Sequence, residues 1–179
     1  MTHAGAFLHT ALRLLALAAA LWASPIARAD DYADVAQLMR TGQTAQALAK
    51  ADQYLAAKPK DPQMRFLKGV ALTEAGRAAD AIAAFTALNQ DYPELPEPYN
   101  NLAVLYAGQS RFDKAREALE SAVRANPGYA IAHENLGDVY AKLAGISYSK
   151  AQQLDAANAT VQPKLALIRQ LLPTPGKAR

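Results

Sequence analysis

Few side chains in this sequence could act as acids, bases, nucleophiles or metal ligands. The 179 residues include no Cys and three His, and only His133 lies beyond residue 29. A zinc site needs three or four ligands, and no further His or Cys accompanies His133. We therefore predict no metal site and interpret His133 as a core or half-buried residue.

The carboxylates and hydroxyls suggest no catalytic group either. Glu117 and Glu120 lie on an amphipathic helical stretch whose other face is apolar, which is typical of solvated surface residues. The serines beyond residue 29 have no His at a spacing that suits a Ser-His-Asp triad. They are Ser110, Ser121, Ser147 and Ser149. We expect a non-enzymatic protein without cofactors.

The first 29 residues have the features of a cleaved signal peptide. They contain no acidic residue, Arg13 supplies a positive charge, and residues 14–23 are apolar. Residues 27–29 read Ala-Arg-Ala, which fits the small-x-small cleavage rule. A retained membrane anchor, the alternative, needs about 20 apolar residues. We expect cleavage after Ala29, a periplasmic or secreted location, and no membrane association after cleavage.

Removal of that segment makes the chain nearly neutral. Of 19 basic residues, Arg13 and Arg28 would be lost, which leaves 17 basic and 16 acidic residues. Such a balance gives no electrostatic reason to expect binding to nucleic acid. Without Cys, the chain also forms no disulfides, so its stability must come from an apolar core.

Apolar and small residues recur at intervals of 34, and the recurrence predicts pairs of helices. Gly42, Gly76 and Ser110 separate the two apolar clusters of each unit. A turn-tolerant residue can end the first helix, and Pro closes each unit because it cannot continue a helix interior. The second clusters are Ala47, Ala51, Tyr54 and Pro59, then Ala81, Phe85, Leu88 and Pro93, then Ala115, Leu119, Ala122 and Pro127.

This pattern resembles the tetratricopeptide repeat family. The family motif is met by Tyr99, Leu102, Ala103, Tyr106, Ala115, Leu119 and Pro127, and in part by His133, Leu136, Gly137 and Tyr140. The resemblance implies an all-α, right-handed superhelix of antiparallel helix pairs. The repeat domain would cover residues 30–157, in units of about 30–61, 62–95, 96–129 and 130–157.

The fourth unit departs from the repeat. Its pattern fits only if about five residues of the inter-helix turn are missing, so we predict one long helix over residues 131–156, with Gly145 as a kink. A complete hairpin is the alternative. Residues 158–172 would form an amphipathic capping helix, because a solenoid end otherwise exposes apolar surface. The same helix could instead form a homodimer, and residues 173–179 would be a flexible tail.

The resemblance also implies that the first helix of each unit lines a concave groove that binds peptides. Family members that bind C-terminal carboxylates use a clamp of Lys, Asn and Arg, but Tyr32 and Ala36 stand at the first two clamp positions. The groove would be apolar at Tyr32 and Phe66 and acidic at Glu97, Glu134 and Asp138, which favours a partner with apolar and basic parts. The candidate groove residues are Tyr32, Ala36, Phe66, Val70, Thr73, Asn100, Asn101, Val104, Glu134, Asn135 and Asp138.

These observations predict a non-catalytic adaptor of the bacterial cell envelope that binds a peptide or protein segment. A self-associating structural protein is one alternative, and an accessory or chaperone subunit of an envelope enzyme complex is another. No residue pattern identifies the partner or the pathway.

Overall fold

The structure is a computed structural model that describes residues 27–172. The described part consists of helices and connecting turns, without strands, as the all-α prediction requires. The helices are α1 Ala27–Arg40, α2 Thr44–Ala57, α3 Pro62–Glu74, α4 Ala78–Asp91, α5 Pro96–Gly108, α6 Phe112–Ala125, α7 Ala130–Leu154 and α8 Val161–Leu171. Most of the predicted signal peptide and the tail at residues 173–179 lie outside the described residues, and both remain predictions. No helix between residues 27 and 172 is long and apolar enough to cross a membrane.

The same turn joins the two helices of each of the first three pairs. Gly42, Gly76 and Ser110 have φ angles of 73°, 71° and 58°, in the left-handed region. The residue after each of these three donates its backbone N–H to the carbonyl oxygen of the residue five positions before itself. Arg77 N, for example, lies 2.9 Å from Leu72 O. This is the Schellman arrangement that ends helices. The three turn residues predicted from the 34-residue spacing are confirmed.

The second pair begins at a well-capped helix. The Asp61 side chain accepts a hydrogen bond from the Met64 N–H at 2.9 Å, and Pro62 occupies the first turn of α3. Asp satisfies an otherwise unpaired N–H there, and Pro has no N–H to satisfy. Residues 61 and 62 therefore fix where the chain re-enters a helix after the first pair.

The two helices of a pair fit together through complementary side-chain volumes. Gly69 on α3 faces Phe85 on α4, and a Cβ added at Gly69 would lie 2.5 Å from the Phe85 ring. In the 34-residue register the first pair has Val35 and Ala51 at these two positions, and both are fully buried. The third pair has Ala103 and Leu119, which are almost fully buried. A small residue on one helix thus accompanies a large one on its partner, which keeps the pairs closely packed.

The pairs stack so that the first helices form one layer. Helices α1, α3, α5 and α7 contact one another in sequence, whereas α2, α4 and α6 contact only the first helices beside them within the described residues. Because the first helices contact one another and the second helices do not, the stack curves toward the first helices. The first helices therefore form the concave face, and the second helices form the convex face.

The fourth unit has no turn and no second helix that folds back. The long helix predicted over residues 131–156 is present as α7, which runs 25 residues without interruption through Gly145. Because no second helix covers α7, Tyr140 remains 48% exposed. His133 is also exposed, with its Nε2 2.9 Å from the Pro127 carbonyl oxygen. The prediction of a core or half-buried His133 was wrong for this reason.

The final helix, α8, contacts only α7 among the described elements. Val161 and Leu165 are buried at 5% and 4% exposure, whereas Leu167 and Leu171 remain more than 60% exposed. The Ile168 side chain approaches Gly145, where a Cβ would lie 3.2 Å away. Helix α8 thus covers one side of the second half of α7 and leaves part of its own apolar surface in solvent.

Candidate ligand-binding groove

The candidate groove is the concave face formed by α1, α3, α5 and α7. The predicted groove residues all lie on these four first helices, at positions that recur in the repeat. They divide into residues whose polar groups bond within the protein and residues that remain available to a ligand. The first group comprises Tyr32, Thr73, Asn100, Asn101 and Asn135.

The Tyr32 side chain links the first three helices. Its hydroxyl donates a hydrogen bond to Asp61 Oδ2 at 2.6 Å and lies 2.9 Å from the Tyr54 hydroxyl. Tyr54 also donates to Asp61 Oδ2, at 3.0 Å. The rings of Tyr32 and Tyr54 are tilted, with centroids 5.6 Å apart. Tyr32, predicted as an apolar part of the groove, therefore makes structural contacts at this junction.

These contacts change the ionisation of the groups involved. Burial, aided by the bonds to Asp61 and Tyr54, raises the pKa of the Tyr32 hydroxyl. Burial alone would raise the pKa of Asp61, but the bonds from Tyr32, the Met64 N–H and Tyr54 bring that pKa below its usual value. Hydrogen bonds to a carboxylate favour its charged form. Asp61 therefore combines a helix cap with an anionic anchor for two hydroxyl groups.

Two asparagines connect α5 and α7. Asn135 Nδ2 donates to Asn100 Oδ1 at 2.7 Å, and Asn100 is only 8% exposed. Asn100 was predicted as a groove residue available to a ligand, but its burial and this bond make it part of the packing between α5 and α7. Asn101 is more accessible, although its Nδ2 donates to the Glu97 carbonyl oxygen within α5.

An apolar cleft opens where α3 and α5 begin. It has a volume of about 340 Å³ and is lined by Pro62, Gln63, Phe66, Leu95, Glu97 and Pro98. The Phe66 ring is half-buried and packs 5.8 Å from the Phe85 ring, which fixes its orientation. Pro62 and Pro98 lie in the first turns of their helices and add rigid apolar walls. The cleft can accept an apolar side chain beside the carboxylate of Glu97.

An acidic surface lies on the later first helices. Glu97, Glu134 and Asp138 are exposed and form no ion pair within residues 27–172. Burial raises the pKa of Tyr129, and the Glu97 carboxylate adds to that shift, which places Glu97 near the start of α7. Val104 is 53% exposed between these helices, while Val70 and Thr73 on α3 are half-buried. The accessible groove therefore combines apolar and anionic groups.

Sequence reasoning found Phe66 and the carboxylates but missed four members of the cleft. These are Pro62, Gln63, Leu95 and Pro98, which line the cleft with Phe66 and Glu97. The repeat itself could have predicted these residues, because the first turns of successive first helices are neighbours in a solenoid. No group of three or more His, Cys, Asp or Glu suited to a metal ion is found among the residues that the structure describes.

Comparison with known proteins identifies the repeat. Two sequence profiles of the tetratricopeptide repeat match residues 37–96 and 72–143. A tetratricopeptide repeat domain-containing protein of Arabidopsis thaliana, the chloroplastic PYG7, is 34% identical over 79 residues. That match covers 41% of this chain and 26% of the relative, so the chain spans about a quarter of that protein's length.

Solved structures show the same fold. TTC0263, a tetratricopeptide repeat protein of Thermus thermophilus, has a TM-score of 0.58 at 23% identity, over 79% of this chain and 81% of that one. The first repeat domain of Spaghetti (RPAP3), bound to an HSP90 peptide, has a TM-score of 0.59 at 14% identity. That match covers 64% of this chain and 90% of that one. The profiles together span residues 37–143, and the chain belongs to the tetratricopeptide repeat family.

Proposed function

We propose that this protein is a non-catalytic adaptor that binds a peptide or protein segment in its concave groove. The observation that carries the proposal is the apolar cleft beside Phe66, which is lined in part by Glu97, together with the exposed carboxylates of Glu134 and Asp138 on α7. A cleft of this kind gives affinity through apolar burial, and nearby unpaired charges give specificity. The fold is one that serves as a protein-interaction module, which agrees with this role.

The chemistry of the groove supports a partner segment with an apolar part and a basic part. An apolar side chain would enter the cleft between α3 and α5, and Lys or Arg residues further along the segment would meet Glu97, Glu134 and Asp138. The Lys, Asn and Arg clamp for a C-terminal carboxylate is absent from the matching positions, which favours an internal segment over a free C-terminus. Features of residues 1–29 support a role in the bacterial cell envelope, after export and cleavage.

Affinity capture from envelope extract tests the proposal. The test variant carries Glu134→Lys and Asp138→Lys on the concave face, and the control carries Asp113→Lys and Glu117→Lys. The two control sites are exposed on the convex helix α6, have the same spacing of four residues, and change the net charge equally. Circular dichroism first establishes that both variants are helical.

We expect the unmodified protein and the control to enrich the same one or two proteins, and the concave variant to lose them. Equal enrichment by all three proteins would place the binding surface outside the groove. The alternative of a self-associating structural protein predicts no enrichment, together with a homodimer measured by light scattering.

A further inference from the structure

A second cleft lies outside the regular repeats, between α8 and the second half of α7. Its volume is about 640 Å³. The apolar part of its lining comes from Ile146 on α7 and from Leu165, Ile168 and Leu172 on the α8 side. Ile146 is 55% exposed although it lies in the middle of a long helix. The cleft exists because α7 continues where the other units turn back.

Basic side chains line this cleft without acidic partners. Lys142, Lys150 and Arg169 contribute to its lining, and no Asp or Glu does. None of the three forms an ion pair with any residue between 27 and 172. The surface therefore combines an apolar floor with uncompensated positive charge, the opposite of the acidic groove surface formed by Glu97, Glu134 and Asp138.

We propose that this cleft binds an acidic amphipathic helix of a partner protein. Its lining on α7 extends from Lys142 to Gln153, a length of about 16 Å at 1.5 Å per residue. That length matches about three turns of a docked helix, whose apolar side chains would meet Ile146 and Ile168. Asp or Glu residues beside the apolar stripe would pair with Lys150 and Arg169, as in other helix-in-groove interfaces.

The shape and charge of the cleft disfavour two other occupants. Its apolar floor is uneven, since Leu165 is only 4% exposed and Ile146 is 55% exposed, and an uneven floor suits the side chains of a helix better than a flat bilayer surface. A second copy docked about a two-fold axis would bring the basic residues of both copies together, and like charges at such an interface are costly. Neither argument counts against a helix that carries carboxylates.

Selection from a displayed library of helical peptides, with the full chain as target, tests this proposal. Enriched peptides should carry apolar residues three and four positions apart, flanked by Asp and Glu. Their affinity should fall on the order of tenfold or more in a variant with Lys150→Glu and Arg169→Glu, because both ion pairs become repulsive. A charge-matched control, Lys60→Glu with Arg124→Glu, should bind as the unmodified protein does.

Three results would overturn the proposal. Enrichment of neutral or basic peptides, or equal affinity for both double variants, would show that the basic cleft selects no acidic helix. A homodimer that dissociates on Ile146→Glu substitution would make a second copy the occupant. The protein could instead bind phosphatidylcholine–phosphatidylglycerol vesicles and lose that binding in the Lys150→Glu, Arg169→Glu variant. That result would make a membrane surface the occupant of the cleft. The concave variant Glu134→Lys, Asp138→Lys distinguishes this cleft from the groove, because peptide binding here should survive that change.

Discussion

Two polar side chains between the helices, Asp61 and Asn89, differ in whether they form hydrogen bonds. Asp61 uses one carboxylate oxygen to cap α3 and the other to accept bonds from two tyrosine hydroxyls. Asn89 is also buried, at 7% exposure, yet neither polar atom of its side chain bonds to any described protein group. In the 34-residue register Asn89 matches Leu55 and Val123, which pack against the core. Asp61 therefore stabilises the junction of the first three helices, whereas Asn89 weakens the packing around α4.

Replacement of Asn89 by Leu should stabilise the protein. The change removes two buried polar atoms without hydrogen bonds and places there the residue found at the same position of the first pair. We expect the free energy of unfolding to rise by about 1–3 kcal/mol, measured by urea titration with circular dichroism. Gln90 is the exposed neighbour of Asn89, and Gln90→Leu serves as the control. It should change the free energy of unfolding little. A less stable Asn89→Leu protein would mean that Asn89 has a favourable role here.

Replacement of Asp61 by Asn should lower stability in a pH-dependent way. Because the folded-state pKa of Asp61 lies below its unfolded value, the charged group contributes stability above the unfolded pKa and loses it as pH falls through the folded pKa. We expect a loss of about 1 kcal/mol at pH 7, since bonds to a charged acceptor are stronger than bonds to a neutral one. The difference from the unmodified protein should shrink as pH falls through the folded-state pKa of Asp61, because the Asp61 side chain then also becomes neutral.

Urea titrations at several pH values would measure this effect, with the exposed Glu117→Gln as the control. A difference that stayed constant from neutral to acidic pH would show that the charge of Asp61 contributes nothing to stability.

At the scale of the elements, the missing second helix of the fourth unit determines most of what is unusual about the molecule. It leaves Tyr140 and His133 exposed, and it lets α7 extend far enough to form a cleft with α8. Gly69 and Gly137 occupy the same position two units apart. A Cβ at Gly69 would clash with Phe85, whereas nothing lies within 4 Å of a Cβ at Gly137. The space around each glycine therefore differs because a partner helix packs against Gly69 and no described helix packs against Gly137.

Alanine substitutions at these two glycines should have opposite effects. Gly69→Ala should destabilise the protein by about 1–3 kcal/mol, because the added methyl group overpacks the contact with Phe85. Gly137→Ala should stabilise it by about 0.5–1 kcal/mol, because Ala is the better helix former and meets no neighbour there. Thermal unfolding followed by circular dichroism measures both. Destabilisation by Gly137→Ala of the same size would indicate that another helix packs against α7.

The sequence predicted helices and turns better than it predicted side-chain environments. The 34-residue spacing and the three turn residues depend on local geometry, so they were visible without coordinates, as was the missing turn of α7. The burial of Asn100 and the exposure of His133 depend on which neighbouring helix is present, and a single position in the sequence does not show that. Likewise, nothing local indicated that Pro98 on α5 and Phe66 on α3 line one cleft.

At the scale of the whole molecule, the stacked first helices form one concave surface with distinct chemistry along its length. The apolar cleft lies between α3 and α5, exposed carboxylates follow on α5 and α7, and the basic cleft lies beyond the last regular pair. A surface patterned in this way suits a module that binds more than one segment of its partners. The proposed adaptor role depends on the apolar cleft and on the acidic part of the groove together.

The most direct test is the affinity of a captured partner for the Glu134→Lys, Asp138→Lys variant, measured by isothermal titration calorimetry beside the Asp113→Lys, Glu117→Lys control. We expect the concave variant to bind on the order of tenfold more weakly or worse, because attraction to a basic segment becomes repulsion. The control should keep the unmodified affinity. Equal affinities for both variants would contradict the account, because they would show that the carboxylates of the concave face take no part in binding.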